Sequence, residues 1–148
     1  MAVKVSNRNI ESGKPSGKSG VAPGKGSDKA FTGKLKEARV QILGENLDEL
    51  AKVVKERGDT FLKSPEEGLL KSYKESIKQF LAKVSKEFLA LKEEFGAARE
   101  GEQKVFQLVK STDSEVESLT KETLTQSRAV GLLASLDDIR GLVLDIMG

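Results

Sequence analysis

Cysteine and histidine are both absent from the 148-residue chain. Without cysteine there is no disulfide, no thiolate nucleophile and no thiolate-ligated metal. Without imidazole there is no Ser-His or Cys-His nucleophile and no histidine metal ligand, so only all-oxygen metal sites stay open. The carboxylate-bridged metal centres of helical bundles use Glu-x-x-His pairs, which this chain cannot supply. Most common active-site designs are thereby excluded, and neither enzymatic activity nor a cofactor is expected. Long apolar runs are missing too: nothing approaches the roughly 18 consecutive apolar residues of a transmembrane helix. The first ten residues carry Lys4 and Arg8 with no apolar stretch behind them, so no secretory signal is read there and a cytoplasmic location is expected.

Tryptophan is absent, aromatics make up 5% of the chain, and charged residues reach 32% against 37% hydrophobic. Long amphipathic helices have that composition, because a thin apolar stripe is matched by a broad charged face. The composition shifts near residue 30. Residues 1–30 hold Pro15, Pro23 and five glycines, and six Lys/Arg stand against Glu11 and Asp28, a net of +4. The remainder has 19 basic and 21 acidic residues, a net of −2. A stretch so poor in apolar residues cannot offset its chain entropy, so 1–30 is expected to be a disordered basic tail.

Residues 31–148 read as helix. Leu43, Leu47, Leu50 and Val54 follow 4-3-4 spacing, and Gly58-Asp59 is expected to end that helix. Ser64-Pro65-Glu66-Glu67 predicts the next start, with Ser64 as N-cap, Pro65 in the first helical position and Glu67 reaching back to the cap amide. From there Leu70, Tyr73, Ile77, Phe80, Val84, Phe88, Leu91, Phe95 and Ala98 keep a heptad-like pattern, with a bend or break expected around Gly96 and Gly101. A third helix carries Val105, Val109, Thr112, Val116 and Leu119, widened by Phe106 and Leu108. The pattern weakens over Ser127–Gly131 and resumes with Leu132, Leu136, Ile139, Val143 and Ile146. No segment alternates with period two, so no sheet is expected. The fold class is all-α: an up-and-down bundle of about four long amphipathic helices, preceded by the tail.

Three blocks in order carry a family resemblance. They are Leu70-x-x-Tyr73-Lys74-x-x-Ile77-x-x-Phe80-Leu81-x-x-Val84, then Gln103-Lys104-Val105-Phe106-x-Leu108-Val109, then Leu136-Asp137-Asp138-Ile139-Arg140-Gly141-Leu142-Val143-Leu144-Asp145. Together they resemble the bacterial YaaR-like proteins of unknown function, over roughly residues 31–148. Gly101-Glu102 stands where that family is expected to have Gly-Arg, and Phe106 where an aromatic hydroxyl is common. The resemblance implies an all-α bacterial cytoplasmic protein with no assigned activity.

Other patterns weigh less. Gly13–Gly20 ends in Gly-Lys-Ser like a phosphate-binding loop, but Ser12 occupies the position of the first required glycine and no strand precedes it. Ser118-x-x-Lys121 matches a motif of acyl-transfer enzymes, yet Glu117 and Glu122 mark an exposed helical face where the lysine keeps its charge. The pairs Glu66-Glu67, Glu93-Glu94 and Asp137-Asp138 diverge by about 100° on a helix and do not face one another. Arg140 has two readings: an ion pair to Asp137 three residues back, or a contact point with Gly141, whose small size admits another backbone.

Lys74, Lys104 and Arg140 lie inside the family-like blocks, and core packing gives little reason for their charge. They are expected to contribute to a surface that binds a protein partner, in a non-enzymatic interaction or accessory protein. A second copy of the chain is one candidate for that partner. The alternative is a nucleic-acid or anionic-surface binder using the tail. Against nucleic acid, the tail has no aromatic residue to stack on bases and its charges are spaced.

Overall fold

A computed structural model describes residues 22–95 and 101–148, which form four helices and, among the described residues, no strand. The helices are α1 (Ala22–Lys63), α2 (Glu67–Phe95), α3 (Glu102–Glu117) and α4 (Gln126–Met147). The chain divides into two compact units, Met1–Ala38 and Arg39–Gly148. The second holds the bundle. The backbone of α1 is helical from Ala22, so its first nine residues fall in the stretch assigned to the tail. Residues 1–21, with the Gly13–Gly20 loop, lie outside the described residues, as does Gly96 with the expected break in α2.

The heptad-like stripes become the core. Leu43, Leu47 and Val54 of α1 are buried, as are Leu70, Tyr73, Ile77, Phe80, Val84 and Phe88 of α2. Val105, Thr112, Val116 and Leu119 join them, followed by Leu132, Leu136, Ile139 and Val143. In the last turn Met147 takes the buried position and Ile146 packs at its edge.

Cross-helix contacts give the topology. Arg57 donates to the Ser72 carbonyl at 3.0 Å while Arg39 pairs with Glu94, so α1 and α2 run antiparallel. Lys92 pairs with Glu102 and Lys78 with Glu117, so α2 and α3 do as well. Arg128 meets Glu115 at 3.1 Å, while at the far end a Cβ on Gly101 would lie 2.6 Å from Ile146, which makes α3 and α4 antiparallel. Gly44 faces Arg140 and Leu144, which closes the ring with α4 against α1. The bundle is up-and-down, as expected.

Three boundaries differ from the expectation. α1 does not stop at Gly58-Asp59 but continues to Lys63. Gly58 is buried with its Cα facing the Tyr73 ring, and a Cβ added there would stand 3.0 Å from Cε1. Close packing against an aromatic offsets the roughly 1 kcal/mol that a helical glycine costs. Ser64 does not cap α2: its amide bonds back to the Thr60 and Phe61 carbonyls, finishing α1, and its hydroxyl donates to the Glu66 carboxylate at 3.1 Å. The first bond of α2 runs from the Leu70 amide to the Glu66 carbonyl, so the helix starts two residues later than the Pro65 register predicts. Ser127–Gly131, where the apolar pattern fades, is already helix, because the Thr125 side chain accepts from the Arg128 amide at 3.2 Å and caps α4 there.

Candidate docking groove and the predicted surface residues

Arg140 is half-buried, and its Nε donates to the carbonyl oxygen of Gly44 at 3.0 Å. Neither sequence reading of Arg140 anticipated that bond. No ion pair to Asp137 forms among the described residues, and Gly141 has nothing within 4 Å of where a Cβ would stand. The glycine that admits a close approach is Gly44, 96 positions away in sequence. A helix-interior carbonyl already takes one backbone bond, so the guanidinium supplies a second donor to its spare lone pair. Lys74 Nζ lies 3.4 Å from the carbonyl of Glu117, at the last turn of α3, where a cation suits the negative end of the helix dipole. Lys104 is exposed on the first turn of α3 with no described partner. Lys74 therefore sits by one end of α3 and Lys104 at the other, about 20 Å apart at 1.5 Å per residue. The three predicted residues are not gathered into one patch.

Among the described residues one opening lies between α1 and α4, and another between α2 and α3. Val54, Lys55, Gly58, Asp59 and Leu62 face Gln126, Ala129, Val130 and Leu133 across a cavity of about 140 Å³. A shallower space of about 380 Å³ continues along the same seam past Ala51, Lys52, Ala134 and Asp137. Small residues make this room: Ala51, Ala129 and Ala134 leave the two helices without interdigitating ridges. Val130 stands 63% exposed beside the opening, on a helix whose opposite face is core. Four rim charges pair with each other, Lys55 with Asp59 at 3.1 Å and Lys52 with Asp48 at 3.7 Å, and Asp137 adds one acid to the edge of an otherwise apolar groove. Its signal in the sequence was Val130, an apolar residue outside the core stripe of α4.

Tyr73 forms part of the cavity wall, and its buried hydroxyl has no hydrogen-bond partner among the described residues. Burial, reinforced by the nearby Glu115 carboxylate, pushes its pKa up to about 12. The phenol therefore stays neutral at ordinary pH. The Glu115 carboxylate is held by Arg128 instead. Ser118 and Lys121 do not form a catalytic pair: Ser118 ends α3 with its hydroxyl on the Glu115 carbonyl at 2.8 Å, and Lys121 sits exposed in the following turn. That turn is closed by mutual bonds between Thr120 and Thr123, which is why the helical face expected through Glu122 stops at Glu117. Among the described residues no group of three or more acids could hold a metal ion, and no helix is long and apolar enough to cross a membrane.

Residues 3–147 match the family model described as a protein of unknown function, DUF327. The chain belongs to this family, the YaaR family of uncharacterised bacterial proteins. The match takes in most of the basic stretch that precedes the three resembling blocks. No curated protein and no solved structure matches the chain.

Proposed function

We propose that this YaaR-family chain is a non-enzymatic, cytoplasmic docking protein that binds a protein partner through the α1–α4 face of its bundle. The observation that carries the proposal is the open apolar seam, with Val130 exposed at its edge and Ala134 and Gly131 leaving room for another backbone. Helices that dock in grooves use such surfaces, setting a few large side chains into apolar recesses. Lys104 presents a free charge on a separate part of the bundle and is the remaining candidate for partner contact from the predicted set. The test pairs capture with melting. Val130→Arg and Ala134→Arg should leave the thermal midpoint unchanged and abolish capture of whatever protein the wild-type chain retains. If both variants still capture it while Lys104→Ala does not, the groove is not the docking surface.

A further inference from the structure

The two compact units differ in charge. Met1–Ala38 carries eight Lys/Arg against three acids, a net of +5, whereas Arg39–Gly148 carries 17 against 20, a net of −3. Within the first unit α1 exposes Phe31 at 68% and Leu35 at 41%. Residues four apart stack on one side of a helix, so the pair forms a short apolar stripe. At about 100° per residue, Lys34 falls to one side of that stripe and Lys36 to the other. Of the side chains described from Phe31 to Ala38, all but Lys36 are exposed, and Gly33 has open space around it. A helical turn with an interior glycine draws little stability from propensity, and a surface that covered its apolar side would add to it.

The occupant must accept both large apolar side chains and a surplus of positive charge. We propose that this face of α1 rests on an anionic lipid surface, with Phe31 and Leu35 in the acyl boundary and Lys34 and Lys36 among the headgroup phosphates. An amphipathic helix lying in the interface needs no spanning length. Nucleic acid matches less of what is present. Phe31 is the sole aromatic residue in the unit, which gives no series of stacking platforms, and a phosphate backbone offers Leu35 nothing apolar. With so short a stripe the attachment is reversible and salt-sensitive.

The full chain should sediment with vesicles of equal parts phosphatidylcholine and phosphatidylglycerol, and not with phosphatidylcholine alone. Lys34→Gln and Lys36→Gln should each weaken that binding about fivefold. The double variant Phe31→Ser/Leu35→Ser should lose it while the bundle melts as in the wild type. Failure of the wild-type chain to bind anionic vesicles overturns the proposal, as does vesicle binding that survives the double variant. Retention on heparin without vesicle binding would reassign the charge to polyanions and overturn it equally. Because the groove variants Val130→Arg and Ala134→Arg lie in the other unit, loss of one surface is read separately from loss of the other.

Discussion

Against α2, α1 is sealed; against α4, it is sealed at one end and open at the other. On the α2 side Gly58 faces the Tyr73 ring and Arg57 bonds the Ser72 carbonyl. On the α4 side Gly44 lets Leu144 and the Arg140 guanidinium approach, but from Val54 to Leu62 a cavity separates α1 from Ala129, Val130 and Leu133. Both seams use a buried glycine, so a missing side chain does not by itself decide which one closes. A glycine met by a ring or a guanidinium becomes a tight joint, and an alanine met by another alanine leaves a groove.

The contrast can be broken most forcefully at Tyr73. Tyr73→Ala should cost about 3–5 kcal/mol in denaturant unfolding, because losing a buried ring enlarges the cavity it borders. Leu133→Ala, on the open seam, should cost about 1–2 kcal/mol, since that side chain is only partly buried. Equal losses would show that the seams do not differ.

Glycine replacement sharpens the same point. Gly58→Val should destabilise by about 1–3 kcal/mol, as added methyls meet the Tyr73 ring. Gly131→Ala, with nothing within 4 Å of the new Cβ, should stabilise by about 0.5–1 kcal/mol through helix propensity. A stabilising Gly58→Val would show that the ring yields and the α2 seam is not tight.

Arg140→Ala should cost about 1 kcal/mol, the usual worth of one hydrogen bond from a half-exposed charge. A melting curve identical to wild type would leave Arg140 to partner contact alone.

The smallest effect concerns the Tyr73 hydroxyl. Its folded pKa of about 12 lies above the ordinary value of 10, so the unfolded chain ionises first. This contribution is fully present below pH 10 and is lost as pH rises from about 10 to 12. Tyr73→Phe should change stability at neutral pH by no more than about 0.5 kcal/mol, because an unsatisfied hydroxyl is removed. It should also melt with a shallower decline above pH 10. Tyr73 is the single tyrosine in the chain, so tyrosinate absorbance of the native protein reads its titration directly. An ionisation midpoint near 10 would refute the burial argument.

How far the sequence could be read follows from which contacts are local. The stripe from Leu70 to Phe88 was legible because its periodicity is a property of one helix, and each of its six large side chains is buried. Gly58 misled because its compensation comes from Tyr73, a residue on another helix. The Ser64 cap misled because the preceding helix claimed the same amide. Arg140 could be singled out as a charge without a packing reason, but its acceptor is a backbone carbonyl, which every residue carries and no sequence pattern marks. Lys74 shares that difficulty. The groove was the least legible feature, since it arises from what two distant helices fail to fill.

The bond from Arg140 to Gly44 also bears on the order of assembly. The α2–α3 and α3–α4 pairs are neighbours along the chain, whereas joining α4 to α1 closes a loop of 96 residues. Loop-closure entropy must be met before such a contact gives any return, so docking of α4 on α1 is expected late in folding. Interactions made after the transition state govern how quickly the native protein opens. Arg140→Ala should therefore speed unfolding and leave the refolding rate nearly unchanged. If refolding slows instead, the ring closes early and the two-helix pairs wait on it.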